Sequence, residues 1–203
     1  MNQSAFKSQD FFLRACYFEA ALILVAIVLG WLAGIDPFAK LFFSEAALLS
    51  GLIGTVPMVV LFRLAELRQE EAFQKIRRLL LETLGPSLHR QHWVNLLMLA
   101  AIAGLSEEVL FRGVIQPWFE AAWGMQAGLI VCNILFGLAH AVTPLYTLLA
   151  FVIGIYLSLS MDYGVERNLL TPVVIHALYD FWAFLVLVKA YRQNRVESEP
   201  GDK

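Results

Sequence analysis

Apolar runs separated by short polar breaks fill most of the chain. A membrane-spanning helix needs about 20 mostly apolar residues, and six stretches approach that length, at about 15–35, 44–62, 93–118, 123–142, 144–161 and 169–189. Between the second and third lies RLAELRQEEAFQKIRRLLLETLGPSLHRQH, residues 63–92, where apolar Leu64, Leu67, Phe73, Ile76, Leu80 and Leu84 recur at helical spacing among Arg and Glu. That pattern predicts an amphipathic helix lying at the membrane surface. The polar tail, residues 190–203, is expected to be disordered. The predicted fold is all-α: a polytopic membrane helix bundle of about six transmembrane helices plus one interfacial helix. No repeat or second domain interrupts it, so residues 1–203 read as a single membrane domain.

Composition strengthens this reading. The chain is 59% hydrophobic and 16% charged, against about 25% charged in typical soluble domains. A net charge of -2 and a pI near 6.1 suggest no nucleic-acid partner. Cys16 and Cys132 stand alone in apolar segments, without the spacing of a disulfide framework or a thiolate zinc site. The N-terminal apolar run is long and lacks a small-residue cleavage site, so it reads as an uncleaved first span. With six spans, the N-terminus, residues 63–92 and the C-terminus share a side and hold most of the Lys and Arg. Only Lys40 and Arg167 fall opposite, which predicts cytoplasmic termini.

Against that background the stretch GLSEEVLFRG, residues 104–113, is out of place. A charge at the centre of a membrane helix costs roughly 2.5–3.5 kcal/mol on insertion scales. Glu108 and Arg112 are four residues apart on one helical face, suited to an ion pair. Glu107 is turned about 100° away and is left to face a cavity. Further on, FGLAH places Phe136 and His140 on one face, and HALYD does the same for His176 and Asp180. Three spans thus bring ionisable groups that can build a polar chamber. The plainer alternative is three unrelated packing contacts, since polar side chains also join membrane helices.

SEEVLFRG fits EExxxR, FGLAH fits FxxxH and HALYD fits HxxxN/D, in that order and in apolar segments. Over about residues 93–189 the chain resembles the CAAX protease and bacteriocin-processing (Abi) family of intramembrane glutamic endopeptidases, which includes the Ras-converting CAAX endopeptidase. The resemblance implies that Glu107 is the general base and that His140 helps hold the nucleophilic water. It also implies that His176 stabilises the oxyanion, that Asp180 fixes the His176 ring, and that Glu108, Arg112 and Phe136 support the site. Asp180 stands where the CAAX endopeptidase branch has Asn, and a carboxylate donates no hydrogen bond unless protonated. No cofactor is implied; the rival within enzymes is zinc held by Glu107, His140 and His176, three ligands leaving room for water. Ser106 lacks the setting of a rhomboid nucleophile, and Tyr179-Asp180 has no GxGD partner. His89 and His92 read as interface residues, as does Glu19.

The implied substrate is a membrane-associated peptide or protein, such as a lipidated C-terminus, a bacteriocin or leader peptide, or a sorting tail. The implied location is a bacterial inner membrane. Two other functions use the same cluster: a non-catalytic immunity or binding protein, and a transporter with a proton relay. One tension attends all of them. Straight spans spread Glu107, His140 and His176 over different depths, so a shared site requires spans that are broken, tilted or shifted near Gly104, Pro117, Pro144 or Pro172.

Overall fold

The computed structural model describes residues 3–198 and the side chains of residues 9–196. Every regular element among the described residues is helical. In chain order these are α1 (Gln3–Ala33), α2 (Glu45–Glu66), α3 (Glu71–Thr83), α4 (Gly85–Leu88) and α5 (Trp93–Leu110). A π-helical turn (Phe111–Ile115) joins α5 to α6 (Gln116–Trp123), followed by α7 (Met125–Ala139), α8 (Pro144–Ser160) and α9 (Leu170–Ser198). Four stretches are long and apolar enough to cross a membrane: Gln9–Ala33, Glu45–Glu66, Trp93–Trp123 and Leu170–Val196. α7 and α8, with 15 and 17 residues, are apolar but shorter than a full span. The architecture is a polytopic helical bundle.

Local chemistry sets the element ends. Ser44 caps α2 by accepting from Ala47 N, and Thr143 caps α8 by accepting from Tyr146 N. Pro144 follows Thr143 at the first helical position, where a missing N–H costs nothing. Gly124, at φ +89°, makes the reversal between α6 and α7, a conformation that only glycine adopts readily.

Two sequence expectations change. The amphipathic helix begins at Glu71, because α2 continues to Glu66 and ends with an Arg63–Glu66 ion pair at 2.8 Å. Leu64 and Leu67 therefore belong to the exposed end of α2. In α3, by contrast, Ile76 and Leu81 are buried while Lys75, Arg77 and Arg78 face outward. The tail is helical rather than disordered up to Ser198, and Arg192 donates to His89 O at 2.7 Å. The rest of the tail, and the first two residues, lie outside the described residues.

Helix pairing follows from the contacts. α5 with its continuation runs antiparallel to α7 around the Gly124 turn, and α7 antiparallel to α8. α9 lies antiparallel to α5, with Gly104 against Ala177. A Cβ on Gly104 would come within 2.8 Å of the Ala177 backbone nitrogen, so the helices approach closely only because the position is glycine. α1 packs along α5 through Ala26, Val109, Leu110 and Val114, and α2 along α9 through Gly51 and Gly54.

The ends of the bundle are staggered. Leu169 N donates to Lys40 O at 2.8 Å and Asn168 Nδ2 to Phe42 O at 3.1 Å, tying the α8–α9 and α1–α2 connections together. Both connections sit at the level of Gly113, which faces Pro37 and Leu169. α6 continues past that level, so α9 starts well below the tip of the α6–α7 hairpin. Helix ends at different heights resolve the depth mismatch expected from straight spans.

Candidate active site

Two adjacent glutamates on α5 point in different directions. Glu108 is fully buried and its Oε1 accepts from Arg112 Nη1 at 3.0 Å, across the junction between α5 and the π-helical turn. The same oxygen accepts from His176 Nδ1 at 2.8 Å. Neither Glu108 nor Arg112 exposes any side-chain surface, so each neutralises the other where an unpaired charge would be very costly.

Glu107 faces α7 instead. Its Oε2 lies 3.6 Å from His140 Nε2, beyond direct hydrogen bonding, and is buried with no hydrogen-bond partner. His140 caps the C-terminus of α7, and its Nδ1 lies 2.9 Å from Phe136 O. A carbonyl only accepts, so that nitrogen carries the proton. In the neutral tautomer that this bond selects, Nε2 presents its lone pair to Glu107. Two acceptors face each other across a gap that a shared proton or a bridging donor would fill.

The hairpin explains this meeting. Glu107 stands 17 residues before Gly124 and His140 stands 16 after it, so an antiparallel return brings them level. His176, two turns into α9, reaches the same level through the close α5–α9 approach at Gly104.

Asp180 Oδ2 lies 3.5 Å from His176 Nε2, one turn farther along α9. Glu108, not Asp180, makes the short hydrogen bond to the ring. Phe136 is buried at the centre of the group. Its ring centroid lies 4.5 Å from that of His140 and 6.1 Å from that of His176, while Arg112 Cζ sits 4.4 Å from it. Glu107, His140, His176, Asp180, Glu108, Arg112 and Phe136 therefore form one contiguous group.

Several neighbours were not singled out in the sequence as site residues. Asn133, Gly154 and Ser158 all contact Arg112. Glu19 of α1, expected at the interface, approaches the group from the other side, with Ser106 Oγ 3.4 Å from its Oε2. The sequence does carry a signal for Asn133, since an amide inside LIVCNILFG is costly in an apolar helix unless it is hydrogen-bonded. His89 and His92 lie apart, His89 against Tyr191 and His92 against Trp93.

His176 is engaged by Glu108 through Nδ1 while His140 faces Glu107. Among the described residues no three His, Cys, Asp or Glu side chains are placed to hold one metal ion.

Residues 89–182 match the family model described as Type II CAAX prenyl endopeptidase Rce1-like. This segment is Rce1-like. It contains α5 through the first half of α9, and so every residue of the group, while the neighbouring Glu19 lies outside it. No curated protein and no solved structure matches the chain. α1, α2 and α3 lie outside the Rce1-like segment, although α1 supplies Glu19 and part of the packing around α5.

Proposed function

We infer that the chain is an intramembrane glutamic endopeptidase that hydrolyses a peptide bond in a membrane-associated substrate. The observation that carries this reading is the Glu107–His140 gap. A water donating one hydrogen to Glu107 Oε2 and the other to His140 Nε2 would satisfy both acceptors and present its oxygen lone pair outward. Glu107 then takes the proton as general base when that oxygen attacks the scissile carbonyl. His176, held through Nδ1 by Glu108, directs Nε2 toward the developing oxyanion. That role requires the ring to carry both protons, and a carboxylate oxygen stands near each nitrogen. Asp180 contributes by its charge near Nε2, since as a carboxylate it donates nothing itself. No step requires a metal.

The Rce1-like match supports a CAAX-like substrate, a peptide whose C-terminus is drawn to the bilayer by a lipid. A bacterial inner-membrane setting with cytoplasmic termini agrees with the distribution of basic residues. Site-directed variants assayed on a fluorogenic prenylated peptide in liposomes test the reading. Glu107→Gln and His140→Ala should each reduce kcat at least a thousandfold without loss of folded protein, and chelators should leave the wild type unaffected. Full turnover by Glu107→Gln would overturn the role of Glu107 as base, and biological function kept without any peptide cleavage would favour a binding or immunity role for the same cluster.

A further inference from the structure

The Arg112 guanidinium is engaged well beyond its pair with Glu108. Its Nε donates to Ser158 Oγ at 3.2 Å, and its Nη2 donates to Asn133 Oδ1 at 3.0 Å and to Gly154 O at 2.8 Å. Asn133 uses its own Nδ2 to donate to Ser158 Oγ at 2.9 Å and to Leu129 O at 2.8 Å. Asn133 and Ser158 are 0% and 1% exposed, and among the described residues no charge other than Glu108 pairs with Arg112. Two polar side chains on α7 and α8 thus form a socket that fits one planar cation.

The socket matters because of how Glu108 is used. Its Oε1 serves both Arg112 Nη1 and His176 Nδ1, while its Oε2 is buried without a partner. A carboxylate bonded through one oxygen alone can rotate or exchange oxygens. What fixes it is the position of the guanidinium, and what fixes the guanidinium is the Asn133–Ser158 pair. A simple helix-packing role for these two residues would leave His176 indifferent to them. The bonded path from Asn133 and Ser158 through Arg112 and Glu108 to His176 Nδ1 connects them.

We propose that Asn133 and Ser158 are positioning residues that set the orientation and the Nδ1 proton of His176 through Arg112 and Glu108. The effect on turnover rests on the endopeptidase reading; the effect on His176 does not. The test is proton and nitrogen NMR of histidine-labelled protein in nanodiscs, combined with peptide hydrolysis. An Nδ1 proton donated to a carboxylate resonates far downfield, and its loss in Glu108→Gln assigns it to His176. In Asn133→Leu and Ser158→Ala this resonance should shift or broaden, and kcat should fall about tenfold with KM unchanged. Ser158→Thr, which keeps the hydroxyl, should restore both. An unchanged resonance in folded Asn133→Leu and Ser158→Ala overturns the proposal, whatever happens to stability. Should Asn133→Leu fail to fold, the small Ser158→Ala change decides alone. A wild-type protein that cleaves no peptide defeats the endopeptidase reading, while the resonance still decides the positioning role.

Discussion

At the scale of single residues, two identical side chains one position apart are asked to do different things. Glu108 is wedged between a guanidinium and an imidazole with no exposed surface, so Glu108→Gln leaves Arg112 short of its counter-charge. That change should destabilise the folded protein by about 3 kcal/mol, read as a lower unfolding midpoint in detergent. Glu107 has a buried oxygen with no partner, so Glu107→Gln should leave the midpoint nearly unchanged. The two glutamines together separate support from chemistry: one loses stability first, the other turnover alone. The sequence already distinguished these glutamates, because helical geometry fixes which shares a face with Arg112. It did not reveal that Glu108 also holds His176. That contact joins residues 68 positions apart and depends on how α9 is seated, which no local spacing encodes.

At the scale of elements, glycine and the hairpin register do the aligning. The α5–α9 approach is close enough that any Cβ at position 104 meets backbone. Gly104→Ala should cost about 1–3 kcal/mol by overpacking, and by shifting α9 it should lower activity more than stability. Comparing kcat with the unfolding midpoint in Gly104→Ala checks this, and a proportionate loss of both would speak against an aligning role. Apolar periodicity predicted the helices themselves well, since the lipid-facing and buried positions of a span are both apolar. Their ends were less legible. The polar residues after Lys189 look like a disordered tail, yet Arg192 reaches His89 and α9 simply continues. The π-helical turn at Phe111–Ile115 left no mark either, because wider turns carry no composition of their own.

At the scale of the whole molecule, the staggered ends are held by a small ionic latch. Arg167 donates to Glu120 Oε2 at 2.7 Å and to Asp162 Oδ1 at 3.0 Å, clasping the α8–α9 connection to α6. Burial alone would lower the guanidinium pKa, but its hydrogen bonds to Asp162 and Glu120 outweigh this and raise it above the ordinary value. A raised cation pKa keeps its stabilising contribution below the unfolded value, itself strongly alkaline for a guanidinium, and loses it only as pH climbs past the folded one. Alkaline pH in the working range should therefore leave the latch closed. Salt and Arg167→Gln should open it, seen as faster proteolysis between residues 161 and 169. The sequence recorded Arg167 only as a charge on the less basic side; its partners lie 47 and 5 residues away.

The two short helices carry a consequence for the lipid. A 15-residue α7 and a 17-residue α8 measure about 22 and 26 Å at 1.5 Å per residue, against a hydrocarbon thickness of about 30 Å. Where these helices lie across the bilayer, acyl chains beside them would compress or tilt, thinning it on the flank that carries His140. Such thinning would bring headgroups and their hydration toward the gap between Glu107 and His140. Hydrolysis should consequently run faster in fluid bilayers of dimyristoleoyl lipids than in dierucoyl ones, with the long chains undoing that thinning.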